Sequence, residues 1–411
     1  MTGKKLYILL LVVGAATVLG LYFGLGHERT WRIWNIPYKE PFFYDLRMVT
    51  ASAESYAEGF DPAYENPYDP EQRYFNYPRI WYILLGSGID LQDTLWIGAL
   101  LVLGFFISLA TLQGEFEPIT AIIMILAIFS PAVLLGVERG NVDLAIFTLA
   151  ALALWSVGFS KTFSLLILLL AVALKLVPLF GAGYFLNEDK RGVKYTIISL
   201  AATTLYVGLD WEGMQHIFSH TQKGADVSYG VSVLPAKFWP YLGNYQQEVT
   251  LTLYLAAFGL ILGMGFLALR NRERWTVLHS DQLRMFRLGA GIYLGTFLLG
   301  NNWDYRLMFL IFAIPQIVSW VRKGSGSAAL AAKICLAALL LSLWYLEIWQ
   351  ITAWAGIAGR VFSFLLDEGM NWVLFAGLLY LFFGSLPDYL LKPVRAFLDQ
   401  HLTHPEPEIQ R

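Results

Sequence analysis

Apolar runs alternate with short polar connections along almost the whole chain. The first, LYILLLVVGAATVLGLYFGLG after Lys4 and Lys5, is about as long as the roughly 20 residues a spanning helix needs and longer than a signal-peptide core, so it reads as a retained helix. Further runs fall near residues 94 to 112, 118 to 135, 142 to 158, 162 to 187, 194 to 209, 249 to 269, 287 to 300, 307 to 321, 328 to 348 and 371 to 386. A bilayer has no water to satisfy open backbone groups, so such runs must be helices. One polar stretch stands apart, PFFYDLRMVTASAESYAEGFDP at residues 41 to 62. From Tyr44 to Glu58 it holds no Pro or Gly, and Pro41 and Gly59 bracket it, which predicts a helix inside a loop.

Composition agrees with the pattern: 57% hydrophobic and 16% aromatic residues, with a mean hydropathy of +0.53, describe a polytopic membrane protein. Only 15% of residues are charged and the formal net charge is −2, which leaves no basic surface for nucleic acid. The single cysteine, Cys335, lies in AALAAKICLAALLLSLW and excludes an internal disulfide.

Lys and Arg in short loops set the orientation. Lys4 and Lys5, Lys161, Lys190 with Arg191 and Lys194, five arginines from Arg270 to Arg287, Arg322 with Lys323, and Lys392 with Arg395 mark the inner side. They agree only if residues 162 to 187 enter and leave on one face. A hairpin broken near LKLVP, Lys175 to Pro178, achieves this, because Pro removes a backbone donor; a single long tilted helix is the alternative. The expected fold is all-α, about 12 transmembrane helices with both termini cytoplasmic, as one domain over residues 1 to 390 and a short tail over 391 to 411. Four polar segments then share the outer face: residues 26 to 90, 136 to 141, 210 to 248 and 300 to 306.

The candidate chemistry sits in those segments. Asp45 falls in the first turn of the loop helix, where the helix dipole favours a carboxylate; a structural pairing with Arg47 or Lys39 is the plainer account. FDPAYENPYDP and RYFNYPRIW follow, dense in turn residues and aromatics. Glu54 and Glu58 read as a solvated face, Glu138 and Arg139 as a loop ion pair, and Asn141 as the cap of the helix that begins VDLAIF. Lys175, deep in the hairpin, is a functional candidate by its position. Asp304 and Arg306, spaced i, i+2, reach one site only from a loop. His216 and His220 at i, i+4 find no third ligand nearby and read as a surface helix.

The order YDLR, AEGFDPAYENPYDP, FNYPRIW, ERGNVDLAIF, ALKLVPLF, NNWDYRLMFL resembles the integral-membrane glycosyltransferases of family 87 in the GT-C superfamily, over roughly residues 5 to 321. The resemblance implies an inverting transfer, mannose being the first guess, from a polyprenyl-phosphate sugar donor to a lipid or glycan acceptor on the outer face of a bacterial inner membrane. It carries the role of base onto Asp45, the donor phosphate and sugar environment onto Asn141 and Lys175, and the late site wall onto Asp304 and Arg306. Arg47, Lys175 and Arg306 are the cations suited to a departing phosphate. Tyr44, Asp61 and Tyr77 are expected on the acceptor wall. No cofactor is called for; a divalent metal is left open because some members of the superfamily use one, although the first loop lacks an Asp-x-Asp. A secondary transporter, or a flippase or assembly protein for lipid-linked glycans, remains the alternative; against transport stands the lack of a repeat between the halves.

Overall fold

The computed structural model describes residues 2–114, 116–186, 190–224, 226–271 and 280–402. The chain is a helical membrane protein; among the described residues its one strand pairing is a two-residue antiparallel bridge between Ser228–Tyr229 and Asn302–Trp303.

The expected 12 spans are not reached among the described residues. There, six helices are long and apolar enough to cross a bilayer, and up to eight spans result if each of two bent pairs is one crossing. Pro131 and Pro315 explain the bent pairs. Each opens a new helix, so Pro118–Ile128 and Pro131–Arg139 meet at 50°, and Asp304–Phe312 and Ile314–Lys323 at 57°. The helices Asp143–Ser156 and Lys161–Leu174 have 14 residues each, about 21 Å at ~1.5 Å per residue, short of a core of about 30 Å. The Ser280–Leu299 helix carries Asp281, Arg284 and Arg287 in its first half and packs inside the protein. By contrast, only 6% of the apolar window of Gly3–Leu25 is buried, and an apolar face left this bare is one that lipid covers.

The break at LKLVP is present. Lys161–Leu174 stops at Lys175, whose backbone is extended, and a 3-10 stretch Val177–Phe185 follows. The segment doubles back: the Ser164 and Tyr184 hydroxyls meet at 2.6 Å, and Thr162 lies 3.4 Å from the Tyr195 hydroxyl. Both ends of the hairpin therefore sit together, with Lys175 at its tip.

Two of the basic groups meet: Arg322 and Lys323 both pair with Glu117, and Lys4 donates to the Leu112 carbonyl, while Arg395 donates to that of Leu269. Arg274 and residues 403–411 lie outside the described residues. Cysteines placed at Lys161 and Lys190 are expected to label from one side of the membrane, and one at Tyr64 from the other. Labelling of the first two from opposite sides would remove the hairpin from the topology.

Candidate functional site

The loop helix runs Tyr44–Ala57, with Asp45 in its first turn. Its entry is fixed by Phe43, in the left-handed region at φ 54°, whose ring packs against Gly140. Gly140 has φ 57°, and a Cβ there would stand 2.8 Å from Phe43, so this position needs glycine for both conformation and space. The contact sets the start of the loop helix against the ERGN turn.

Asn141 joins the two. Its Oδ1 accepts from the Asp143 backbone N–H at 2.9 Å, and its Nδ2 donates to Asp45 Oδ2 at 2.7 Å. The cap expected from sequence thus also holds the candidate base. Arg73 stands on the other side, 4.0 Å from Asp45 Oδ1. Its own bidentate partner is the buried Asp69, at 2.8 to 3.1 Å, and it stacks 4.2 Å above the Tyr44 ring.

Asp143 forms the second centre. It is fully buried, with Lys175 Nζ 2.9 Å from one carboxylate oxygen and Arg306 Nε 3.2 Å from the other. Arg306 also donates to Asn302 Oδ1. Two cations thus share one carboxylate, and Lys175 is near enough to Asp45 to interact electrostatically. Tyr77 lies over Lys175 at 5.8 Å. Burial first, then the Asp143 and Asp45 carboxylates, push its hydroxyl up, which keeps it a neutral donor. Trp81 docks this loop onto the hairpin by donating to the Leu174 carbonyl at 2.8 Å, a group orphaned by the helix break.

Both centres face a single cleft of about 910 Å³. Its walls come from all four polar segments and from the hairpin tip: Asp45 and Tyr77, Asn141, Lys223, Arg306, and Lys175. It also reaches Thr250 and Tyr254 on the apolar helix Gln246–Arg270. A cleft of this size is within the range of small-molecule sites, ~300–1,000 Å³.

Of the nine residues expected to form the site, Asp45, Asn141, Lys175, Arg306, Tyr44 and Tyr77 line this cleft. The other three do not. Arg47 turns away, its Nε 3.4 Å from the Phe42 carbonyl and its guanidinium over the Phe42 ring. Asp61 is exposed and accepts from the Tyr82 hydroxyl at 2.5 Å and the Ala63 N–H at 3.1 Å. Asp304 is buried behind the wall, close enough to Asp367 and Glu368 to repel them. A 3-10 helix begins at Asp304; at about 120° per residue it points residues 304 and 306 apart, so their i, i+2 spacing does not join them. Asp143, Arg73 and Asp69 were not singled out.

The Glu138–Arg139 pair forms at 2.8 Å, while Lys39 pairs with Glu71 at 2.9 Å and not with Asp45. Among the described residues no group of three or more His, Cys, Asp or Glu side chains is placed to hold a metal; His216 contacts the Ala63 carbonyl at 2.7 Å.

No ion pair among the described residues reaches Asp304, Asp367 or Glu368. Replacing Asp304 by Asn removes one of three mutually repelling buried carboxyls at constant size, so the thermal midpoint in detergent is expected to hold or rise. A clear fall would show that the carboxyl is required.

No protein-family model matches the chain, and neither does any curated protein or solved structure.

Proposed function

We propose that the protein is an inverting glycosyltransferase that moves a sugar from a polyprenyl-phosphate donor to a lipid or glycan acceptor at the outer face of the membrane. One observation carries this reading: a carboxylate facing the cleft, Asp45, shares it with two cations, Lys175 at the tip of a broken hairpin and Arg306 beside it on Asp143. The order of motifs that resembles family 87 fits it.

In this reading an acceptor hydroxyl attacks the anomeric carbon from the Asp45 side and gives its proton to the Asp45 carboxylate. The bond from the anomeric carbon to the phosphate oxygen breaks with its electron pair. Arg306 and Lys175 meet the charge that develops on the leaving polyprenyl phosphate. Asn141, through its donated hydrogen bond, holds the Asp45 side chain in place. The largely apolar Gln246–Arg270 helix, which meets the cleft at Thr250 and Tyr254, gives the prenyl chain a side towards the lipid.

Purified protein incubated with polyprenyl-phosphate mannose and other polyprenyl-phosphate sugars is expected to release polyprenyl phosphate when an acceptor extract is present. Uptake of labelled substrate into proteoliposomes with no such release would replace the proposal by transport.

A further inference from the structure

We propose that Asp143 is a positioning residue that sets the charge of the anion cradle: it holds Lys175 and Arg306 on one buried carboxylate and leaves the pair with a single net positive charge. The inference rests on the transferase reading for the identity of the anion, a polyprenyl phosphate.

The geometry separates this role from simple packing. The Asp143 side chain is 0% exposed, whereas those of Lys175 and Arg306 are 12% and 13% exposed and reach the cleft. Each cation takes a different oxygen of the same carboxylate. Two cations side by side in a buried wall repel one another, and only a shared counter-ion lets both stay charged and in place. Asn302 fixes the Arg306 guanidinium from a second direction, and the Asn141 side chain, bonded to the Asp143 backbone, ties the cradle to Asp45. The anion therefore meets a cradle whose charge is two cations less one carboxylate. A ligand with one negative charge neutralises it, and a product that carries more charge is not held by two uncompensated cations, so it can leave.

Charge arithmetic provides the test. Lys175→Met leaves Arg306 against Asp143, a neutral cradle. Asp143→Asn/Lys175→Met leaves Arg306 alone and restores one positive charge. Binding of polyprenyl phosphate to the purified full-length chain, measured by tryptophan fluorescence in detergent, is expected to weaken on the order of ten-fold in the single variant. In the double variant it is expected to return to within about three-fold of wild type. A scaffolding role for Asp143 predicts the opposite, since a second change in a packed site adds damage. A double variant that binds no better than Lys175→Met overturns the proposal. Arg306→Gln and Asp143→Asn/Arg306→Gln repeat the comparison from the other side, in case Lys175→Met does not fold. Wild-type protein that fails to bind polyprenyl phosphate would remove the transferase reading and this inference with it, whereas wild-type binding without rescue strikes the inference alone.

Discussion

Asp45→Asn is expected to leave the protein folded and inserted while removing most sugar transfer. The amide is almost the same size as the carboxylate, and its oxygen still accepts the 2.7 Å bond from Asn141 Nδ2. The first turn of the loop helix is unaffected, because asparagine is as good a residue as aspartate at a helix start. What is lost is the ability to take a proton. Loss of a general base costs on the order of 10²- to 10⁴-fold in rate, and the loss should appear in kcat with donor affinity nearly unchanged. Glu54→Gln on the same helix is the control, since Glu54 is not on the cleft, and its turnover should match wild type. Retention of more than about a tenth of transfer by Asp45→Asn is too small a loss for a base. Among acids on the cleft, Glu71 is then the next candidate; Asp61 and Asp304 are not, since neither lines it.

The parts of this site that could be read along the chain are those whose cause is local. A run without Gly or Pro between Pro41 and Gly59 makes a helix wherever it lies, so Asp45 in a first turn was legible, and the helix ends within a residue of the expected place. Asn141 two residues ahead of Asp143 is a capping geometry, and Pro178 announces a break that leaves Lys175 at a tip. The rest depends on partners far apart in sequence. Asp143 reads as the ordinary start of an apolar helix; its meaning comes from Lys175 on the next hairpin and from Arg306, 163 residues away. Arg73 and Asp69 are four apart but in a loop with no regular period, so their pairing had no signature. Asp304 misled for the converse reason. Its nearness to Arg306 in sequence suggested a shared site, while the bridge of Asn302–Trp303 to Ser228–Tyr229 and the 3-10 turn that follows send the two side chains to different places. The expected 12 spans are not reached among the described residues for a reason of length: apolar runs mark helices well, but prolines at 131 and 315 and the two 14-residue helices show that an apolar run need not be a straight crossing.

Arg306→Ala is expected to be nearly as severe as loss of the base, and Arg306→Lys clearly milder. Arg306 is fixed at two points, by Asp143 through Nε and by Asn302 through Nη1. Those bonds aim the guanidinium, and a guanidinium so held offers a phosphate two parallel donors. Truncation to alanine removes that donor pair and, with Lys175 still on Asp143, leaves the cradle neutral. Removal of one oxyanion donor costs roughly 10²- to 10³-fold in turnover elsewhere, and the charge that accumulates on the leaving phosphate makes a comparable loss the expectation here. Lysine restores the positive charge but reaches only one of the two partners, so it should recover binding more fully than turnover, with a residual loss of about ten-fold in kcat. The split between the two constants separates a phosphate contact from a helix anchor. An anchor would lose stability in the alanine variant and leave KM and kcat of the folded fraction alone. Measured on protein that passes size exclusion as a single peak, equal turnover of both variants at the wild-type level would take Arg306 out of the chemistry and leave the phosphate to Lys175 at the hairpin tip.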